Sequence, residues 1–423
     1  MRYKAYPPFC LPLGHLRRDR SAAVRVHLAY ARIVWRSCTS GLARVRLAVR
    51  VLRWPAEAAM VCVVATALYG ASVRRRTGKG IARQVIEQLD LALRCGVQPM
   101  SYYVLRLYES QNKRNAQHYI HRYETKPNGI YSLLRRPGRR SSGLGNKQEF
   151  YERCRENDLP TAPLVMQLTR GEILACDGDP GSLPRRDLFV KPKRGKGGEG
   201  TARWDWVGDD LYREPGGEVV SEAALLEHLK ALSRERSILV QHRLVNHTEI
   251  RDLSNGALTT ARILTCLDER GEPEIVAAVF RMAVGKNRVV DNIHAGGIAS
   301  AVDLGTGKLG RATSLDPRRD WIDVHPETGA AIAGRTLPHW NEALDLVRRA
   351  HREFNRLVVV GWDVGITEDG PVLVEGNGSP CVTLMQRPHD SPLGLTRLGE
   401  LLAHHLETLE AESFPARTAG RSR

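Results

Sequence analysis

Leu188-Phe-Val-Lys191-Pro-Lys-Arg-Gly195-Lys-Gly197-Gly198-Glu-Gly200 is an apolar strand that ends in a lysine and runs into a glycine-rich loop. Such a loop lets backbone N–H groups approach phosphate oxygens closely, and Lys191 adds a point charge. Gly195, Gly197 and Gly200 also satisfy the spacing G-x-G-x-x-G. A dinucleotide fingerprint, however, needs a helix after the loop to hold the pyrophosphate at its N-terminus. The next residues, Thr201-Ala-Arg-Trp-Asp-Trp206, alternate as a strand does. The order strand, loop, strand describes a flap over a triphosphate; taken alone, it is equally a surface hairpin. Protein kinases share the glycine flap, but they require H-R-D and D-F-G elements downstream. Neither is present, and a Walker A motif is missing too.

The flap has a counterpart near the other end of the chain. Gly361-Trp-Asp363 and Val372-Leu-Val-Glu375-Gly-Asn377-Gly-Ser-Pro380 are two apolar runs joined by the turn Thr367-Glu-Asp-Gly370. Glu375 and Asn377 are two residues apart and so point to one face of a strand. With Asp363 they form a set of oxygen donors suited to magnesium held between carboxylates and nucleotide phosphates.

Around these two segments the organisation is that of an α+β protein. Residues 146–240 and 241–405 alternate short β-rich runs with helices, and the segment from His339 to about Leu357 has helical periodicity. Residues 80–145 form a helical region and linker: Ile81–Cys95 is amphipathic and stops at Gly96, Tyr102–Ser110 and Asn115–Thr125 continue as helices, and Arg135–Gly145 is rich in breakers. Residues 406–423 are expected to be a flexible tail. A chain of 423 residues divides into more than one packed unit. Its eight cysteines lack paired spacing, which excludes a zinc cluster or disulfide framework and fits a reducing compartment.

The net charge of +16 is concentrated at one end. Residues 1–80 hold sixteen Lys/Arg against Asp19 and Glu57, leaving the remainder almost neutral. A nucleic-acid surface requires basic residues spread over the folded part, so nucleic acid is not an expected partner. Within residues 1–79, Arg25, Arg32 and Arg36 sit near one helical face beside Val26, Ile33 and Trp35, as in a basic amphipathic helix. Ala58–Val73 is apolar but about four residues short of the ~20 needed to span a bilayer. Arginines crowd both ends. This segment is either a peripheral attachment to an anionic membrane or a set of helices packed on the main body. A short apolar run with basic flanks favours lying on a membrane over crossing it.

In order along the chain, Lys147 before a helix, Phe189-Val-Lys191-Pro with its glycine loop, Val240-Gln-His-Arg-Leu244, Arg262, Asn292-Ile-His294-Ala-Gly-Gly297 and the Asp363, Glu375, Asn377 set resemble the ATP-grasp ligases. The overall order, with Tyr102-Tyr103 ahead of it, most resembles the sugar-transfer-associated branch; Asn292–Gly297 and Glu375–Pro380 are also similar to peptide ligases and glutathione-synthetase-like members. The resemblance covers about residues 75 to 405. It implies two α/β lobes clasping ATP after a helical region, and a cytoplasmic ligase that joins a carboxylate to an amine through an acyl phosphate, releasing ADP. By the same resemblance, Lys147 and Lys191 contact the nucleotide phosphates under the flap Gly195, Gly197, Gly198 and Gly200. Gln241 to Leu244 lie along adenine, Arg262 steadies the transferring phosphoryl group, and Asp363, Glu375 and Asn377 hold Mg2+. His294 is a candidate for orienting substrate or acting as a base. His242 stands where many relatives have glutamate, and Asp291 where peptide ligases have a basic residue. The substrates implied are small or sugar-linked carboxylates and amines, in cell-surface polysaccharide or related biosynthesis. A small-molecule kinase on the same fold and an inactive membrane-associated adaptor are the competing functions.

Overall fold

Apolar residues at helical spacing dominate the first hundred described residues, and period-two alternation takes over after residue 160, so the chain runs first as helices and then as sheets. The computed structural model describes residues 21–126, 129–136, 142–195, 198–285, 289, 291, 293 and 296–414. The helical region comprises α1 (Ala22–Ser37), α2 (Gly41–Thr77), α3 (Ile81–Cys95) and the short α4 (Pro99–Val104), α5 (Ser110–Arg114), α6 (Arg122–Thr125) and α7 (Ile130–Leu133). As predicted, α3 stops where Gly96 takes a left-handed φ of 68°. The two helices expected over Tyr102–Ser110 and Asn115–Thr125 are instead broken into single turns. Arg106, at φ 54°, ends the first of them. The breaks let Tyr102, Tyr103, Tyr108 and Tyr119 turn into one buried cluster with Leu91 and Val97.

The first lobe opens with α8 (Lys147–Glu156), capped by the Asn146 side chain accepting from the Gln148 N–H. After it come β1 (Leu164–Thr169), β2 (Glu172–Cys176), β3 (Leu188–Pro192), β4 (Ala202–Gly208), β5 (Leu211–Arg213), β6 (Val219–Ser221), α9 (Glu222–Glu235) and β7 (Ile238–His242). These strands form a seven-stranded sheet in the order β2-β1-β7-β3-β4-β5-β6, with α9 over the apolar face. β3 and β4 pair antiparallel, Leu188 opposite Trp204, so the glycine loop is the tip of a hairpin and not the start of a helix.

The second lobe holds β8 (Thr260–Leu267), β9 (Pro273–Met282), β10 (Ile298–Val302), β11 (Leu309–Thr313), α10 (Trp340–Glu353), β12 (Val359–Thr367), β13 (Gly370–Asn377), α11 (Val382–His389) and α12 (Arg397–Ser413). Its six strands run β11-β10-β9-β8-β12-β13. Alternation divides the residues between two faces: Ile263, Phe280 and Trp362 pack under α10, whereas Leu264, Cys266 and Val279 pack toward α11 and α12. Gln241 and His242, expected to open the second lobe, complete β7 of the first sheet. Among the described residues the seven cysteines are all thiols, none joined in a disulfide.

Three expectations about the ends of the chain are corrected. Residues 406–413, expected in a flexible tail, are the last turns of α12, whose Leu406 is fully buried. The basic face of α1 is not left for a membrane: Arg25 pairs with Glu407, and Arg32 and Arg36 with Glu410, all on α12. The other side of α1 buries Val26, Ala29, Tyr30 and Ile33, and its His27 Nδ1 lies 2.7 Å from Glu124. The apolar run Ala58–Val73 is not a short element of its own, being part of the single 37-residue helix α2.

Deleting residues 1–38 therefore exposes the apolar surface of α12 that α1 covers. With several buried side chains lost at about 1.5–3 kcal/mol each, the truncated protein should melt well below the full chain and bind a hydrophobic dye. Calorimetry checks this; an unchanged melting temperature would show that α1 adds nothing to the fold.

Candidate active site

The strand register of the second sheet gathers most of the expected site residues. Asp363 on β12 lies opposite Arg262 on β8 and opposite Glu375 on β13, Gly361 lies opposite Asn377, and Thr260 lies opposite Arg281 on β9. Residues directly opposite in an antiparallel ladder share a face, so Thr260, Arg262, Arg281, Asp363, Glu375 and Asn377 form one polar patch at one end of the sheet. Between Glu375 and Asn377, Gly376 faces the core. A Cβ there would stand 2.6 Å from Leu144 Cδ2 and 3.0 Å from Trp362, so glycine is what lets β13 lie this close to the core.

The patch is an ion-pair network buried on the second lobe. Arg262 grips Asp363 through Nε and, at 2.8 Å, through Nη2. Arg281 Nη2 lies 3.1 Å from Asp363 and 3.2 Å from Asp291, and Thr260 Oγ1 donates to Asp291 at 2.5 Å. Burial pushes the Asp363 carboxyl up, but Arg262 and Arg281 outweigh it and hold the group below the usual carboxylate range. Asp291 moves the other way, because burial, joined by the charge of Asp363, exceeds the help it gets from Arg281. Arg262 stays firmly charged, since Asp363 and Glu375 more than offset its burial. Asp363, expected among the magnesium ligands, is held here by the guanidinium groups of Arg262 and Arg281.

From the first lobe, Lys191 at the end of β3 is 7% exposed. Burial lowers its pKa to about 8; the negative charge of Glu375 opposes that shift, while Lys147 adds to it. Lys191 is thus close enough to sense Lys147 in its own lobe and Glu375 across the junction of the lobes. Lys147 sits at the first turn of α8, its N–H bonded to the Lys193 carbonyl and its Nζ 3.1 Å from the Gly195 carbonyl at the base of the flap. Gly198 and Gly200 take left-handed φ values of 77° and 71°. Gly197 and His294 lie outside the described residues.

The stretch Gln241 to Leu244, expected to lie along adenine, begins inside the first sheet. Gln241 stands between β1 and β3 with its amide donating to the Ala162 carbonyl at 2.7 Å. The His242 and Arg243 N–H groups donate to the Pro163 and Asp187 carbonyls, which leaves Leu244, just past the strand, as the residue of this stretch turned to neither. The lobes are tied nearby, where Arg203 and Arg243 both donate to the Gly256 carbonyl and Leu373 N–H donates to Pro160.

Glu375 and Asn377 fit a magnesium ion by donor chemistry through a carboxylate and a carboxamide oxygen on one strand face; separately, the buried Nδ2 of Asn377, a donor that cannot bind the cation, lacks a hydrogen-bond partner. An amide left unsatisfied in this position is one whose orientation a ligand would fix.

A family model for sugar-transfer-associated ATP-grasp proteins matches residues 128–398. This chain belongs to that family. The sugar-transfer-associated ATP-grasp fold also resembles solved ligases: D-alanine–D-alanine ligase from Bacillus anthracis in complex with ATP (12% identity, TM-score 0.36, covering 64% of this chain and 68% of that one). An L-amino acid ligase from Bacillus licheniformis matches at 12% identity and TM-score 0.33, over 57% of this chain and 43% of its own. N5-carboxyaminoimidazole synthase from Aspergillus clavatus, with ADP and 5-aminoimidazole ribonucleotide, matches at 13% and 0.33, over 62% and 54%. The chain thus spans less than half of the L-amino acid ligase. No curated protein matches it in sequence.

Arg281, which completes the network of this ATP-grasp chain, belongs to none of the motifs read from the sequence. Its signal was there: a charge placed in the apolar run Val276-Ala-Ala-Val-Phe-Arg281-Met, two positions beyond Val279 on the same face. Because the folded-state pKa of Lys191 is lowered, its buried charge costs stability below about pH 8, and that cost fades as pH rises from about 8 toward 10.5. Nucleotide binding should show the opposite trend. ATP affinity is expected to fall by up to about tenfold per unit above pH 8 in the wild type, and Lys191→Met should bind weakly with no such step; titration calorimetry across pH would expose an identical profile in both as a refutation.

Proposed function

We propose that this protein is an ATP- and magnesium-dependent ligase that activates a carboxylate as an acyl phosphate and joins it to an amine, releasing ADP and phosphate. The observation that carries the proposal is the placing of buried Lys191 of the first lobe within reach of the charge of Glu375 in the second, with Arg262, held by Asp363, sensing the same carboxylate. Phosphoryl transfer needs positioning and charge neutralisation more than a protein nucleophile. Lys147 and Lys191 would bind the phosphates, and the glycine hairpin would cover them and exclude water. Arg262, held by Asp363, would face the charge that develops on the transferring group. Magnesium, when held by Glu375 and Asn377, would neutralise phosphate charge. The family description supports a role in building sugar conjugates, so the acid or the amine is proposed to be sugar-linked.

Glu375→Gln should fold normally yet lose turnover by a factor on the order of a hundred or more, since it removes charge from the metal site. Acid and amine pairs should be screened for ADP release with the wild type, and the product then analysed. An amide with stoichiometric ADP supports the ligase; a stable phosphoester would make the protein a kinase, and stoichiometric AMP would exclude the proposed cleavage.

An anionic membrane surface is the partner proposed for the helical region. α2 is long and apolar enough to cross a membrane by length and composition, and only 28% of its most apolar window is buried within the fold. Leu52, Met60, Val63 and Leu68 are exposed along it, and Arg74, Arg75 and Arg76 close its end. Replacing Leu52 and Val63 together by glutamate should release the protein from vesicles containing anionic lipid without lowering its melting temperature. Equal co-sedimentation of both proteins would rule this surface out.

A further inference from the structure

A cavity of about 330 Å3 lies where the helical region meets the second lobe, away from the polar patch of Glu375 and Asn377. Four arginines line it: Arg76 from the end of α2, Arg106 just after α4, Arg319 from the segment between β11 and α10, and Arg387 from α11. Two of the four have a carboxylate at the cavity wall. Arg76 Nη1 lies 2.6 Å from Asp320, and Arg106 lies 3.3 Å from Glu109 and 2.7 Å from Asp390 just after α11. Arg319 and Arg387 form no ion pair among the described residues. The cavity therefore holds two guanidinium groups without an ion pair beside two that are paired.

Arg387 is unusual in being 2% exposed, and its Nη1 has no hydrogen-bond partner. Its Nε reaches the Ser314 carbonyl at 3.4 Å, and its guanidinium lies 5.2 Å from the ring centre of Trp321, which Arg106 also approaches at 5.7 Å. Arg76 Nε is likewise buried without a partner. Burying an unpaired guanidinium donor is costly unless a ligand satisfies it. The strain registers in the pKa of Arg387, brought down to about 10 by burial, with Arg106 and Arg76 adding to the shift.

From the unpartnered buried donors and the two arginines without an ion pair, we infer that this cavity is a binding site for a phosphate group, carried by a phosphate ester or a diphosphate. Guanidinium forks offer paired N–H donors that match phosphate oxygens. A ligand there would bridge α2 and α11, and so join the helical region to the helix just after the Glu375–Asn377 segment. The site is independent of the ligase proposal.

The test is calorimetric titration of the full chain with inorganic phosphate and with pyrophosphate at pH about 8 and constant ionic strength, with malonate as the carboxylate control. Saturable binding of a phosphate species tighter than malonate is expected. Arg319→Gln, an exposed change that leaves the fold alone, should weaken it about tenfold, and Arg387→Met should weaken it further. Lys191→Met, altered only at the nucleotide site, should retain this binding whether or not the protein is a ligase. Wild-type affinity in Arg319→Gln, equal binding of malonate, or loss of binding in Lys191→Met would each overturn the assignment.

Discussion

The pairing of Arg262 with Asp363 is the constraint around which the second lobe is arranged. It joins the neighbouring strands β8 and β12 of the six-stranded sheet, and each partner is buried. Neither charge could stand alone there, because an isolated buried ion is far costlier than a paired one. Arg281 and Asp291 extend the pairing to β9 and to the segment before β10, so four charges and Thr260 must be placed together or not at all. Such a network adds little to net stability compared with an apolar core of the same volume. What it supplies is a rigid guanidinium whose direction is set before any phosphate arrives.

The division of one sheet face into a polar end and an apolar end arises from the same strands. β8 carries Thr260 and Arg262 and then, on the same face, Leu264 and Cys266, which α11 and α12 cover. Charge is kept where the first lobe approaches and apolar surface where the helices pack. Arg203 and Arg243, meeting at the Gly256 carbonyl, and the bond from Leu373 to Pro160 tie the lobes beside that polar end.

Local pattern carried much of this information. The flap hairpin was legible because Thr201–Trp206 alternates, and the β12–β13 hairpin because Thr367–Gly370 is a turn between apolar runs. Oxygen donors at Glu375 and Asn377 were evident from spacing alone. What pattern could not supply was pairing between distant elements. Asp363 gave no local sign of its pairing with Arg262, which only the register of β8 and β12 sets. Gln241 gave no local sign that β1 and β3 flank it. The arginines of α1 have membrane-like periodicity, and nothing local distinguishes a lipid phosphate from Glu407 and Glu410, which lie nearly four hundred residues away.

That last pairing has a consequence for how the protein is made. Arg25 and Glu407 are 382 positions apart, so at ribosomal rates of about 5–20 residues per second α1 emerges roughly twenty to seventy-five seconds before the helix that covers it exists. Throughout that interval the surface of α1 that packs on α12 has no native partner. A growing chain in this state needs a temporary cover, whether a chaperone or a bilayer, and the second lobe cannot close its helical layer until synthesis has reached α12.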